Sequence, residues 1–124
     1  MTEKSQLDGL SVLVVEDAFL VALDLCDYLE SAGCTVIGPA ATVNQAFQEM
    51  TDVSLDGAVL DVNLAGEQSF PIAEQLAARG VPFLFLTGYD SVTAFPSAFQ
   101  SVLRLSKPVE LETLAKAVSE FRKS

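Results

Sequence analysis

The chain has 124 residues, of which 50% are hydrophobic, and its formal net charge is −10. This length suits one domain around one core, and the negative charge argues against direct binding to nucleic acid or to an anionic membrane. The N-terminus lacks the apolar segment of a signal peptide, and no apolar run approaches the roughly 20 residues of a membrane-spanning helix, so a cytoplasmic protein is expected.

Five apolar runs are predicted to form buried strands, and they alternate with segments of helical periodicity. In chain order the strands are Ser11–Val15, Thr35–Ile37, Ala58–Leu60, Val81–Leu86 and Val102–Leu105. The second strand is predicted to be closed by Gly38-Pro39. Apolar residues at helical spacing predict helices over 18–29, 43–50, 70–77 and 111–121. Pro96 disfavours a continuous helix over 91–100, so the fourth helix in the series is expected to be short or irregular.

This order of elements predicts an α/β fold whose parallel sheet is covered by helices on both faces. Residues 1–9 are assigned to an N-terminal extension and residues 10–124 to a single domain. The terminal helix ends at the end of the chain, so no output domain is expected. In such folds ligands bind beyond the carboxyl ends of the strands.

Polar side chains follow four of the five predicted strands. Glu16 and Asp17 follow the first strand, Asp61 the third, Thr87 the fourth and Lys107 the fifth. Because the carboxyl ends of parallel strands meet at one edge of the sheet, these side chains are expected to lie close together. Taken singly, each has an ordinary use as a turn residue, a helix cap or a solvated charge. The occurrence of all these side chains at the ends of the predicted strands favours a functional site.

Three crowded carboxylates repel one another and favour a hard divalent cation with oxygen ligands, Mg²⁺ or Mn²⁺. We expect Asp17 and Asp61 to bind this cation directly and Glu16 to act through water. The backbone carbonyl of Asn63 can complete the set. Zinc is not expected, because the chain has no histidine. The two cysteines, Cys26 and Cys34, are predicted to be buried, reduced thiols.

Asp61 can also act as a nucleophile. A carboxylate that attacks phosphorus forms an acyl phosphate, provided that the charge on the phosphoryl oxygens is neutralised. Mg²⁺ and Lys107 would each neutralise part of this charge, and the Thr87 hydroxyl would bind another oxygen. The predicted strand ends therefore supply the groups that a nucleophilic aspartate at the end of the third strand would need.

In order and spacing, Glu16-Asp17, Asp61, Thr87 and Lys107-Pro108 resemble the motif of receiver domains of two-component response regulators. The resemblance covers essentially the whole chain and implies a flavodoxin-like (CheY-like) doubly wound sheet with the strand order 2-1-3-4-5. It implies that Asp61 accepts a phosphoryl group from a histidine kinase or a phosphotransfer protein, and that Glu16 and Asp17 hold Mg²⁺. It also implies that Thr87 and Lys107 contact the phosphoryl group and that the Lys107–Pro108 peptide is cis.

The chain departs from the family pattern at the switch positions. Leu105 stands where receivers usually carry a Tyr or Phe that follows the threonine as a rotamer switch. The run from Phe83 to Tyr89 resembles instead the variant subgroup nicknamed FATGUY, in which Tyr89 is the candidate for the switching role. Equally, Tyr89 can be a loop tyrosine with a packed ring and a hydrated hydroxyl. A short fourth helix weakens the face through which many receivers dimerise, so a monomer or a weak dimer is expected.

The resemblance implies a stand-alone receiver that binds an unknown downstream protein, shuttles phosphoryl groups or drains them from a kinase. Such a protein catalyses its own phosphorylation and dephosphorylation without being an enzyme for a separate substrate. Two alternatives stay open. One is a pseudo-receiver that binds partners independently of phosphorylation. The other is a phosphatase with an aspartyl nucleophile, which the presence of Asn63 disfavours because a second acid is expected at that position.

Overall fold

A five-stranded parallel sheet forms the centre of the fold in the computed structural model, which describes residues 7–88 and 95–123. The strands are β1 (Ser11–Val15), β2 (Thr35–Ala40), β3 (Gly57–Asp61), β4 (Phe83–Thr87) and β5 (Arg104–Ser106). Their order in the sheet is β2-β1-β3-β4-β5, and each neighbouring pair is parallel. The predicted order, 2-1-3-4-5, is therefore confirmed.

Four α-helices are found in the described part of the chain. They are α1 (Phe19–Ser31), α2 (Val43–Met50), α3 (Phe70–Ala78) and α4 (Leu111–Ser119), the last of which continues as a 3-10 helix over Glu120–Lys123. A small antiparallel hairpin, Asn63–Leu64 with Glu67–Gln68, lies between β3 and α3. None of the helices among the described residues combines the length and the apolar character needed to cross a bilayer.

The described part of the segment between β4 and β5 is irregular, as predicted. This part holds one short 3-10 helix, Ser97–Phe99, which begins directly after Pro96. Proline fixes its own backbone and restricts the residue before it, so an α-helix cannot run through this position unbroken. The first residues of the predicted 91–100 helix lie outside the described residues.

The second strand is longer than predicted. The strand is predicted to end before Gly38-Pro39, but β2 continues to Ala40. Ala40 pairs with Val15 of β1 after a local shift in register. Gly38 adopts a φ of +106° at this irregularity, a conformation that favours glycine. The prediction was wrong because pairing with β1 outweighs the local breaking tendency of the Gly-Pro dipeptide.

Two hydrophobic clusters lie on opposite faces of the sheet. Alternate residues of each central strand point to opposite faces, so that Val12 and Val14 join one cluster while Leu13 and Val15 join the other. The first cluster packs against α1 and α4, and the second against α2 and α3. Leu7, which falls within the predicted N-terminal extension, is buried in the first cluster. Burial on both faces explains why the three central strands, β1, β3 and β4, are mostly apolar in sequence.

Both cysteines belong to the first cluster and neither forms a disulfide. The Cys26 and Cys34 side chains are buried, and burial is the main reason that the pKa of each thiol rises to about 11. Near neutral pH both groups are therefore protonated thiols that contribute to the core as small hydrophobic side chains.

Candidate functional site

The carboxyl edge of the sheet brings three carboxylates together. Glu16 directly follows β1, and its backbone N–H donates to the Ala40 carbonyl at 2.9 Å. Asp61 is the last residue of β3. Oxygen atoms of Glu16, Asp17 and Asp61 all lie within 4.8 Å of one another. Glu16 and Asp61 are only 2% and 3% exposed, so two of the three carboxylates are removed from bulk water.

Lys107 extends its side chain into this cluster. Its Nζ lies 3.1 Å from Glu16 Oε1 and 3.1 Å from Asp61 Oδ2. The backbone N–H of Lys107 donates to the Thr87 carbonyl at 2.8 Å, which continues the pairing of β4 with β5 past Ser106. The Lys107–Pro108 peptide bond, for which the resemblance implies a cis geometry, is cis in the structure. The lysine therefore reaches the site from a main chain that is fixed to the sheet.

The site is electrostatically unbalanced, because the charge of one lysine faces three carboxylates. Burial, followed by the hydrogen bond and negative charge of Glu16, raises the pKa of Asp61 from 3.8 to about 7, although Lys107 acts in the opposite direction. Burial by itself lowers the pKa of Lys107, but its hydrogen bonds and charge interactions with Asp61 and Glu16 outweigh burial and raise that pKa. Additional positive charge would thus favour the ionised form of Asp61.

The donor set fits a hard divalent cation. All three side chains offer carboxylate oxygens, which Mg²⁺ and Mn²⁺ prefer, and their spacing allows them to share one ion. One further contact restrains the cluster, since Asp17 Oδ2 accepts a hydrogen bond from the backbone N–H of Ala65 at 2.9 Å. Asn63, the predicted backbone ligand, opens the short hairpin two residues after Asp61.

Of the remaining predicted residues, the structure describes Thr87 and Leu105. Leu86 pairs with Asp61 in the sheet, and Thr87, the next residue and the last of β4, is half-buried at the same edge. Leu105 is half-buried and packs against the first hydrophobic cluster. Tyr89 lies outside the described residues, so its predicted switching role stays a sequence prediction.

One contact within the site and one beside it could not be predicted from the sequence. Lys107, predicted to contact the phosphoryl group, also contacts Glu16 through the same ammonium. Beside the site, Glu67 Oε2 accepts a hydrogen bond from the backbone N–H of Val43 at 3.0 Å. No motif signals these contacts, because residues 24 and 91 positions apart are joined only by the fold.

Comparison with known proteins gives one family. The family model for the response regulator receiver domain matches residues 12–119. A relative, the sensory transduction protein LytT of Bacillus subtilis (strain 168), is 30% identical over 117 residues, which cover 92% of this chain and 48% of that protein. The chain spans about half the length of the curated relatives that it matches.

Solved structures include similar chains of nearly the same length. The solution structure of SdrG from Sphingomonas melonis Fr1 has a TM-score of 0.75 and 38% sequence identity, and the match covers 92% of this chain and 97% of that one. The BeF3-activated conformation of SdrG from Pseudomonas melonis Fr1 has a TM-score of 0.72 and 36% identity, with 94% and 97% of the two chains covered.

Proposed function

The chain belongs to the response regulator receiver domain family, and from this membership we propose that Asp61 accepts a phosphoryl group from a histidine kinase or a histidine phosphotransfer protein in a Mg²⁺-dependent reaction. The observation that carries the proposal is the contact of Lys107 Nζ with Asp61 Oδ2, at 3.1 Å, inside a cluster of three carboxylates. A buried aspartate beside a lysine and two further acids has the parts that phosphoryl transfer to a carboxylate requires.

The proposed reaction forms one bond and breaks one. A carboxylate oxygen of Asp61 attacks phosphorus, the phosphorus–nitrogen bond of the donor phosphohistidine breaks, and its electron pair leaves with the imidazole nitrogen, which solvent can protonate. Lys107 is placed to bind a phosphoryl oxygen through the ammonium that contacts Asp61 in this structure. The Thr87 hydroxyl, one residue beyond the partner of Asp61 in the sheet, is the candidate donor to a second oxygen.

Ionisation of Asp61 connects the metal site to the chemistry. The attacking carboxylate must be ionised, yet burial and Glu16 hold its pKa near 7. When bound, Mg²⁺ supplies positive charge that favours the carboxylate and neutralises part of the charge on the phosphoryl oxygens. We assign Asp17 and Asp61 as direct ligands, with Glu16 acting through water and the Asn63 carbonyl completing the set.

The output of the proposed reaction is a covalent acyl phosphate at Asp61. Partner switching, phosphoryl shuttling and removal of phosphoryl groups from a kinase all begin with this species, so they belong to one proposal. Residues 10–124 form the proposed receiver unit. A monomer or weak dimer remains the prediction for its oligomeric state.

The test is phosphorylation with a small phosphodonor. The purified chain is incubated with acetyl phosphate and Mg²⁺, and the covalent acyl phosphate is located by intact mass and peptide mapping. Wild type and the control Asp27→Asn, an exposed position on α1, are expected to react, whereas Asp61→Asn is not. Failure of wild type to form an adduct, or an adduct that persists in Asp61→Asn, contradicts the proposal.

A further inference from the structure

The chain leaves Asp61 and enters a very small hairpin. Asn63 and Leu64 pair with Gln68 and Glu67 respectively, and this unit is called the 63–68 hairpin below. Gly66 makes its turn with a φ of +82°. Each strand has two residues, which is too short for the pairing to hold the hairpin in place by itself. The position of the 63–68 hairpin therefore depends on its contacts with the rest of the fold.

Leu64 of the hairpin is buried in the second hydrophobic cluster, and hydrogen bonds to other described residues attach both the turn and the returning strand. The Ala65 N–H donates to Asp17 Oδ2 at 2.9 Å, which joins the turn to a predicted metal ligand. On the returning strand, Glu67 Oε2 accepts the Val43 N–H at 3.0 Å, which joins the hairpin to α2. The hairpin thus connects the N-terminus of α2 to the carboxylate cluster.

The contact between Glu67 and Val43 suits the chemistry of a helix N-terminus. Val43 is the first residue of α2, so its N–H has no acceptor within the helix. The neighbouring cap does not supply one, since Thr42 Oγ1 accepts from the Gln45 N–H at 3.0 Å. A carboxylate at this end of a helix is also stabilised by the helix dipole.

We infer that Glu67 is a positioning residue for the metal site. Glu67 does not belong to the carboxylate cluster, but it holds the 63–68 hairpin, which carries the predicted ligand Asn63 and restrains the predicted ligand Asp17. Asn63 belongs to the hairpin, and Asp17 is hydrogen-bonded to its turn. Ligands that are already restrained lose less conformational freedom when an ion binds, so affinity rises. This inference rests on the proposed function, because it concerns the same Mg²⁺ site.

The first test measures binding of Mg²⁺ alone by titration calorimetry on the full chain. In Glu67→Ala the Kd for Mg²⁺ is expected to increase about fivefold. Glu67→Gln keeps an oxygen that can accept the Val43 N–H, so its Kd is expected to stay within about twofold of wild type. Glu74→Ala, an exposed glutamate on α3, is the matched control and should bind like wild type.

A second variant removes the donor instead of the acceptor. Val43→Pro deletes the N–H, and proline is tolerated at the first position of a helix, where the preceding Thr42 already has an extended backbone. Its Kd for Mg²⁺ is expected to increase as in Glu67→Ala. The double variant Glu67→Ala/Val43→Pro should bind no more weakly than either single variant, since both remove the same contact.

Amide hydrogen exchange provides a readout without metal. In the metal-free protein the Ala65 N–H is expected to exchange faster in Glu67→Ala than in wild type or Glu74→Ala. An unchanged Kd for Mg²⁺ in Glu67→Ala, together with faster exchange at Val43, overturns the inference while leaving the proposed function intact. Absence of Mg²⁺ binding to wild type overturns both.

Discussion

Lys107 Nζ and Asp61 Oδ2 lie 3.1 Å apart, although the two residues are separated by 46 positions in the chain. The same ammonium lies 3.1 Å from Glu16 Oε1. Lys107 therefore holds two buried carboxylates at the edge of the sheet, one of which is the proposed phosphoacceptor. Its positive charge stabilises the site before any phosphoryl group arrives, and this double role has consequences that can be measured.

Replacement of Lys107 by alanine should separate phosphorylation from the response to it. Loss of the ammonium removes one of the groups that neutralise the phosphoryl oxygens, so phosphorylation by acetyl phosphate should become slower, on the order of 100-fold, without disappearing. In Lys107→Ala, the change that beryllofluoride causes in the NMR signals of the backbone amides should be largely lost. Lys116→Ala, an exposed position on α4, is the control. A normal response in Lys107→Ala would contradict the assigned role.

The raised pKa of Asp61 predicts a dependence of stability on pH in the absence of metal. The folded pKa is about 7 and the reference value is 3.8, so the folded state binds the proton more tightly than the unfolded state. The stabilisation of the folded state that results from this tighter proton binding is complete below pH 3.8 and is lost as the pH rises through about 7. Relative to Asp61→Asn, wild type should thus lose on the order of 2 kcal/mol of unfolding free energy between about pH 5 and pH 8.

Urea unfolding in the presence of a chelator measures this difference. Asp27→Asn, a substitution at an exposed position of α1, serves as the control. Addition of Mg²⁺ should recover part of the stability of wild type at pH 8 and should stabilise Asp61→Asn less, because that variant lacks one of the proposed ligands. Parallel pH profiles of wild type and Asp61→Asn would show that Asp61 ionises normally.

A cluster of phenylalanines around Phe85 should contribute strongly to stability. Phe85 is fully buried on β4, and its ring makes edge-to-face contacts with four other rings, with centroid distances between 5.2 and 6.0 Å. Phe85→Ala removes these contacts and leaves a cavity, so the unfolding free energy should fall by about 3–5 kcal/mol.

The matched control for this substitution is Phe19→Ala. Phe19 is 74% exposed at the start of α1, so its removal should change the unfolding free energy by less than about 0.5 kcal/mol. Urea denaturation of both variants provides the comparison. Equal losses in the two variants would be inconsistent with a core centred on Phe85.

The thiols should resist modification in the folded protein. Burial raises the pKa values of Cys26 and Cys34 to about 11, so very little reactive thiolate exists at pH 8, and access to reagent is also blocked. A thiol-specific reagent at pH 8 is expected to label neither cysteine in the native protein and both in urea. Rapid labelling of either cysteine under native conditions would contradict the packing of the first hydrophobic cluster.

The strand ends could be located from the sequence because the physics that defines them is local. A continuous apolar run marks a strand buried on both faces, and the first acidic residue after it marks the edge of the sheet. This reasoning was sufficient for Asp61 and for Glu16-Asp17. It was less accurate for β2, where pairing between Ala40 and Val15 carries the strand past Gly38-Pro39. The local breaking tendency of this dipeptide is weaker than the pairing of the buried Ala40 with β1.

By itself, the sequence determined the order of elements and the identity of the acids at the strand ends. Both follow from continuous apolar runs that are separated by segments of helical periodicity, and from the parallel sheet that this order requires. Only the tertiary structure decided how these groups contact one another. The approach of Lys107 to Glu16, the bond from Ala65 to Asp17 and the attachment of Glu67 to Val43 join residues far apart in the chain. Such contacts, and the raised pKa of Asp61, depend on side-chain direction and on exclusion of water, which exist only once the sheet and its helices have packed.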